Sequence, residues 1–262
     1  MKHAVHAKKH LGQHFLNDEG IARNIVEALL EKDKNTPVLE IGPGTGVLTK
    51  YLIESGIDFL AWDVDRDSIP FLKTTYPTQE NRFILKDILE NDPGADFKGS
   101  YNIIGNFPYN ISSQIMFKVL EQKNRIPYVV GMFQKEVAER LAEKPGSKTY
   151  GILSVLLQAY YNIEYLFTVH ENVFVPPPKV KSAVIRLSRN NRANLGCDED
   201  LFKKIIKGTF NQRRKTIRNS IRSVSGSIVL THPLLEKRPE QLSVEEFVEL
   251  TKLVEVELKK AT

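Results

Sequence analysis

Residues 38–49 read VLEIGPGTGVLT: a short apolar run, three glycines at alternate positions, then a run with helical spacing. A glycine-rich turn between a strand and a helix lets backbone N–H groups approach a ligand at the carboxyl edge of a sheet, beside a helix N-terminus. The glycines fall at 42, 44 and 46, and the position that a dinucleotide fingerprint needs small is Val47. The stretch therefore predicts a nucleotide-type site while weighing against the pyrophosphate-binding version of it.

Outward from this turn, short β-rich runs alternate with helical patterns from Pro37 to about Ser188. Strands are predicted over Val38–Ile41, Phe59–Val64, Arg82–Leu85, Tyr101–Gly105, Tyr128–Phe133, Ile163–Val169 and Ser182–Leu187, with helices such as Ile21–Glu31, Ser113–Glu121 and Lys135–Ala142 between them. That alternation gives an α/β fold, a mostly parallel seven-stranded sheet with helices on both faces. The last two strands have only HENVFVPPPKVK between them, which implies an antiparallel pair at one end of the sheet. SRNNRANLGCDED (188–200) is polar and aperiodic and reads as a linker. The expected division is residues 1–188 for the sheet domain and 189–262 for a small C-terminal α-helical domain. In the latter, Phe210, Ile217 and Ile221 share one helical stripe, and Ser243-Val-Glu-Glu246 reads as a capping box opening a last helix with Phe247, Leu250, Val254 and Leu258 inward.

The totals bound the partners. With 262 residues, 41% apolar and 26% charged, the chain has the composition of a soluble globular protein. No apolar run approaches the 18 or so residues of a membrane span, so no membrane association is expected. The first residues carry Lys2, Lys8 and Lys9 but no Arg or Ser before Arg23, which argues against a presequence, and the single Cys197 suits a reducing cytoplasm. Net charge is +5, but its placement says more: residues 201–222 hold eight Lys or Arg and no Asp or Glu. Arg213, Arg214, Lys215, Arg218 and Arg222 are the candidate contacts to a polyanion, most simply RNA, the alternative being a solvated basic helix.

Carboxylates stand at the ends of the second and third strands. Asp63 and Asp65 lie seventeen and nineteen residues past Gly46. A carboxylate there can accept both ribose hydroxyls of an adenosine. Asp65 is equally well explained as a helix cap, so Asp63 is preferred. Asp87, in LKDIL, could accept from an adenine amino group, or be an ordinary turn carboxylate. Together these describe an adenosine cofactor without a pyrophosphate. With GPGTG and the NFPY stretch at 106–109, that cofactor is S-adenosylmethionine, and the order of motifs resembles the class I methyltransferases, with their Rossmann-like sheet.

That resemblance gives the aromatic turn Asn106-Phe107-Pro108-Tyr109 a purpose. An exocyclic adenine amine is a poor nucleophile because its lone pair is delocalised into the ring. Acceptors placed where its two N–H bonds will point favour pyramidalisation and attack. The Asn106 side-chain oxygen and the Phe107 carbonyl are the candidate acceptors, Pro108 stiffens the turn, and Tyr109 stacks on the base. Phe174, in a proline-stiffened loop, would supply the second face for a flipped-out adenine, although a lone Phe is more often core.

KKHLGQHFLND, EIGPGTG, NFPYNISS, FQKEVAERL, TYGILSVLLQ, VFVPPPKVKSAVIRL and FNQRRKTIRNSI occur in this order. Over about residues 8–250 the chain resembles the small-subunit ribosomal RNA adenine dimethyltransferases. The resemblance implies transfer of four methyl groups from S-adenosylmethionine to N6 of two adjacent adenosines in a hairpin loop near the 3′ end of small-subunit rRNA. It also implies a ribosomal-subunit precursor as substrate, no DNA partner, and a monomer. Carried over by position, the cofactor contacts fall on His14, Leu16, Gly42, Gly44, Asp63, Asp87 and Asn106. Three positions depart from the family pattern: His14 stands where Asn is common, Asp63 where Glu is common, and Phe107 where Leu is usual. His3, His6, His10 and His14 form a spaced set, but no Cys or clustered carboxylate accompanies them and no metal is expected.

Competing readings are an rRNA-binding assembly factor with dispensable catalysis, a large-subunit rRNA adenine dimethylase, and a nicotinamide-dependent oxidoreductase. The intact Asn106-x-Pro108-Tyr109 weighs against the first and FNQRRKTIRNSI against the second. Val47 and the basic helical tail weigh against the third.

Overall fold

The computed structural model describes residues 5–226 and 228–261. Among them the strands are β1 (Phe15–Leu16), β2 (Val38–Ile41), β3 (Phe59–Asp63), β4 (Phe83–Leu85), β5 (Asn102–Asn106), β6 (Tyr128–Gln134), β7 (Tyr161–Val169), β8 (Phe174–Val175) and β9 (Ser182–Arg189). The helices are α1 (Glu19–Leu30), α2 (Val47–Ser55), α3 (Ser68–Thr75), α4 (Ser112–Glu121), α5 (Lys135–Ala142), α6 (Ile152–Gln158), α7 (Glu199–Phe210), α8 (Ile217–Ser220), α9 (Arg222–Ser225) and α10 (Val244–Ala261). The chain folds as two compact units.

The first unit holds residues 1–138 and 162–189. Its sheet runs in the order β4-β3-β2-β5-β6-β9-β7. β2, β3, β4, β5 and β6 pair in parallel, and β9 runs antiparallel to β6, from Tyr128↔Ser188 to Gln134↔Ser182. The chain winds outward from β2 in both directions, so the crevice beyond the carboxyl ends of β2 and β5 is the topological switch point. The alternation of elements is what the sequence predicts, and so is the arrival of the last two strands as neighbours at one end. The two-residue ribbon of β1 with β8 has no counterpart in the sequence prediction, being too short to show a pattern.

Local chemistry explains the element ends. Asp18 caps α1 by accepting from the Ile21 N–H at 2.9 Å. The helix then buries Ala22, Ile25, Val26 and Leu29, one stripe at helical spacing. Ile25 and Leu29 are fully buried, each worth about 1.5–3 kcal/mol relative to exposure. β2 is buried along its whole length, as a central parallel strand requires, and its one charged residue, Glu40, is buried with it.

The second unit joins residues 139–161 to residues 190–262. The sequence alone assigns 139–161 to the sheet domain, and the structure corrects this. The reason lies in apolar packing and amide bonds: α6 buries Val155, Leu156 and Leu157, and Gln158 Nε2 donates to the carbonyls of Leu141 and Glu143 at 2.9 and 2.8 Å. Tyr150, fully buried, tilts against Phe210, which stacks on Phe247.

The basic segment also differs from expectation. A continuous stripe through Phe210, Ile217 and Ile221 is replaced by α7, a turn carrying Arg213, Arg214 and Lys215, and the single-turn helices α8 and α9. All three apolar residues are buried, but from separate elements. The capping box forms as predicted, with Glu246 N–H donating to Ser243 Oγ at 3.2 Å and Ser243 N–H donating to Glu246 Oε2 at 2.9 Å. Phe247, Leu250 and Val254 are fully buried behind it, and Leu258 is half-buried. No helix among the described residues is long and apolar enough to cross a membrane.

Candidate functional site

A cleft of about 140 Å³ opens at the switch point, several times the ~30 Å³ share of one water molecule and hence no packing defect. Of the sequence-predicted residues, His14, Gly42, Gly44, Asp63, Asp87, Asn106, Phe107, Pro108 and Tyr109 all line it. They come from five separate stretches of chain, brought together because β2, β3 and β5 end at one sheet edge. Two of the predicted catalytic and cofactor residues are not in the lining.

The glycine loop is shaped by conformation and space. Gly42, Gly44 and Gly46 all have positive φ, of 69°, 55° and 86°. A Cβ on Gly44 would meet the Phe15 ring at 2.8 Å, so the N-terminal segment packs directly on the loop. Over Gly42 nothing lies nearer than Pro108 Cδ at 3.9 Å, which leaves the cleft open there.

Asp63, buried at the end of β3, accepts from the Gly44 N–H at 3.1 Å through one oxygen and from the Asp65 N–H at 2.9 Å through the other. A carboxylate has about four lone-pair sites, so one on each oxygen is left for a ligand's hydroxyls. Burial raises its pKa, the backbone N–H groups of Asp65, Gly44 and Val64 opposing that rise and the Asp65 charge adding to it. Asp87 accepts from the Leu89 N–H at 2.7 Å through one oxygen; the other has no partner among the described residues. Asp65 has a different task. It binds Lys8 and Gln13, the latter at 3.0 Å, and takes the Asp67 N–H at 2.9 Å. Burial alone would raise its pKa, but these partners outweigh it and hold the carboxyl below its usual range. Asp65 thus pins the N-terminal segment, consistent with the preference for Asp63 as ligand.

At the end of β5, Asn106 Nδ2 donates to the His14 carbonyl at 2.9 Å. A carbonyl can only accept, so this bond fixes the amide orientation and turns Oδ1 away from His14. Phe107 is 1% exposed, and its ring explains one aromatic of the turn: it fills the space that Gly105 and Gly131 leave by lacking side chains, and meets Phe133 edge-on at 5.1 Å. A Cβ on Gly131 would stand 2.1 Å from Phe107 Cε2. Its ring is therefore structural, although the residue also lines the cleft. Tyr109 stacks on the His14 ring, centroids 5.4 Å apart at 29°. The imidazole Nδ1 lies 2.8 Å from the Pro176 carbonyl and so must donate to it.

Two of the predicted residues, Leu16 and Phe174, stand outside the lining. Phe174 does not line the cleft: it is 2% exposed, sits in the hydrophobic core with Leu16 and Val169, and pairs through its backbone with Leu16 across the β1–β8 ribbon. The aromatic that faces Tyr109 is His14. Leu16 is likewise core, 3% exposed, and outside the lining. Its physical role is to fasten the segment that carries His14.

Sequence reasoning missed Glu40. It is 1% exposed, beneath the glycine loop, and takes the Thr49 hydroxyl at 2.7 Å. Burial raises its pKa to about 8, Thr49 pulling it back and the Asp63 charge adding to the rise. A lone acid inside a four-residue buried strand was the available signal. Ser182, fully buried and bonded to the Tyr109 hydroxyl, was also missed.

The five basic candidates lie in the second unit and separate into two kinds. Arg213 donates to the Ser147 carbonyl at 3.1 Å and lies 3.6 Å from Glu240, and Arg218 is ion-paired with Glu236. Arg214, Lys215 and Arg222 are exposed, with no side-chain partner among the described residues. Of the histidine set, His3 lies outside the described residues, and among those described no group of three His, Cys, Asp or Glu could hold a metal ion.

A mostly parallel seven-stranded sheet with a glycine loop after its first strand, carboxylates closing the next two, and Asn-Phe-Pro-Tyr at the switch point is the class I methyltransferase architecture. Within that class, the model of the family described as ribosomal RNA adenine dimethylase matches residues 4–255, and the chain belongs to that family. It is 56% identical over 258 residues to "Ribosomal RNA small subunit methyltransferase A" of Parabacteroides distasonis, an alignment covering 98% of this chain and 97% of the relative. Among solved structures, a dimethyladenosine transferase from Plasmodium falciparum superposes with a TM-score of 0.76 at 23% identity, covering 94% of this chain and 98% of the other. The 23S rRNA methyltransferase ErmE gives 0.67 at 24%, covering 91% and 99%. At those identities the two structures speak to the fold alone.

Proposed function

We propose that this protein dimethylates N6 of two adjacent adenosines in a hairpin loop near the 3′ end of small-subunit (16S) rRNA, with S-adenosylmethionine as methyl donor. The observation that carries the reading is the Asn106 amide, held by the His14 carbonyl so that Oδ1 faces away from His14, beside Tyr109 at the cleft.

The residues present fit the cofactor. The open space over Gly42 admits it, the spare lone pairs of Asp63 suit ribose hydroxyls, and the second oxygen of Asp87 suits an adenine amine. When bound, the cofactor supplies a sulfonium methyl group as electrophile. The chain supplies the rest. Asn106 Oδ1 and the Phe107 carbonyl accept the two N–H bonds of the target amine, which drives its lone pair out of conjugation with the ring. Tyr109 supports the flipped base by stacking. No base is needed before attack, because the amine proton becomes acidic only after the new N–C bond has formed, and it then leaves to water. A second round on the same nitrogen needs only one N–H acceptor.

RNA affinity comes from the second unit, where the exposed Arg214, Lys215 and Arg222 can bind phosphates. The protein acts as a monomer in the cytoplasm on a precursor of the small ribosomal subunit. Mass spectrometry of small-subunit rRNA from cells with and without the gene tests this: two N6,N6-dimethyladenosines should vanish on deletion and return with the parent protein. Unchanged small-subunit rRNA, or loss of a large-subunit mark instead, would overturn the reading.

A further inference from the structure

The Tyr109 hydroxyl and Ser182 Oγ lie 2.5 Å apart across 73 residues of sequence. The two ends of this contact differ in what holds them. Ser182 is fully buried and opens β9, in register with Gln134 of β6, and the ladder continues past it as Lys135 N–H donates to the Lys181 carbonyl at 2.9 Å. β6 in turn pairs with β5, Met132 opposite Asn106. The position of Ser182 is therefore set by the same sheet that places Asn106. Tyr109 sits in the turn after β5, closed by Ile111 N–H donating to the Pro108 carbonyl at 3.2 Å, and without a tether its ring could swing about χ1.

One face of that ring is already taken. His14 stacks on it at 5.4 Å, and a base between the two rings would need roughly twice a stacking separation. The opposite face is left for the target base, and its direction depends on where the phenol edge is held.

We propose that Ser182 is a positioning residue for methyl transfer: its hydroxyl holds the Tyr109 phenol so that the free ring face meets the flipped adenine within reach of Asn106. This rests on the adenine-methylating function proposed above. It also changes the expectation for Tyr109→Phe, which sequence reasoning would treat as nearly silent because stacking needs only the ring.

The test is single-turnover methylation of small-subunit particles at saturating S-adenosylmethionine, over a range of protein concentrations, with cofactor affinity measured in parallel. Phosphate contacts dominate RNA affinity, so Ser182→Ala should leave the half-saturating concentration unchanged and lower the maximum rate by about three- to ten-fold, the worth of one hydrogen bond. Tyr109→Phe, which removes the same bond from the other side, should lose the same factor. The double variant should lose no more than either single one, and Ser182→Thr, which keeps a hydroxyl, should recover to within about two-fold. Cofactor affinity should stay at the parent value throughout. A parent-like maximum rate for Tyr109→Phe, or a double variant whose loss is the product of the single losses, overturns the proposal. If the parent protein itself transfers no methyl group, the proposed function falls first and the contact is an ordinary core hydrogen bond.

Discussion

Replacing Asn106 separates a catalytic acceptor from a packed turn. In the parent the amide nitrogen is committed to the His14 carbonyl at 2.9 Å, so Oδ1 is held in one orientation before any substrate arrives. Asn106→Ala deletes that oxygen and leaves the Phe107 carbonyl as the only acceptor for the target amine. Loss of one preorganised partner of a transition-state charge typically costs about 10²–10³ in rate, or roughly 2.7–4 kcal/mol, and the same range is expected here. The His14 carbonyl also loses its donor, a stability cost of about 1 kcal/mol that does not enter a rate measured on folded protein. Asn106→Asp keeps an acceptor but sets a carboxylate oxygen against the His14 carbonyl, so the side chain turns away. Its expected loss is smaller, roughly ten-fold, giving the order Asn, Asp, Ala. The assay is single-turnover methylation of small-subunit precursors at saturating cofactor and RNA, with RNA affinity measured separately and expected to change little. If Asn106→Ala turns over as fast as the parent, the amine-acceptor assignment is wrong.

Two further outcomes concern charge. Glu40 has its folded-state pKa raised from 4.5 to about 8, so the native state holds a proton that the unfolded chain releases, and stability falls as pH rises through that window. The gap between those two values corresponds to at most roughly 5 kcal/mol. Glu40→Gln keeps an acceptor for Thr49 and should gain on the parent steadily between pH 5 and 8 in thermal unfolding; parallel pH curves would show that Glu40 is not a buried acid. Replacing Arg214, Lys215 or Arg222 singly by Gln should reduce the magnitude of the log–log salt slope of RNA binding by about 0.7–0.9. Arg218→Gln should reduce it less, because Glu236 already neutralises that guanidinium. Slopes that match the parent for all four variants would return the segment to a solvated basic surface.

The order of strands and helices, the glycine loop and the Asn-Phe-Pro-Tyr turn were legible in the sequence because each rests on local rules. A strand-to-helix turn needs glycines where φ is positive, a parallel sheet needs apolar runs separated by helical spacing, and a last helix shows its capping box. The carboxylates Asp63 and Asp87 could be placed at one edge because strand ends of such a sheet coincide. Other features depend on residues far apart in the chain, and no local pattern encodes them. That His14 rather than Phe174 faces Tyr109 follows from the β1–β8 ribbon, which turns Phe174 into the core and lays the N-terminal segment over the site. The tasks of Asp63 and Asp65 separate only because Lys8 and Gln13 fold back onto the second. The large Phe107 fits because Gly131, on the neighbouring strand, has no side chain to meet it. The basic stretch reads as uniform along the sequence, yet Glu236 and Glu240 approach Arg218 and Arg213 through folding and leave Arg214, Lys215 and Arg222 unpaired among the described residues. Sequence determined which chemical groups reach the sheet edge; tertiary structure decided which are already spent on one another, because hydrogen bonds and ion pairs depend on distance in space.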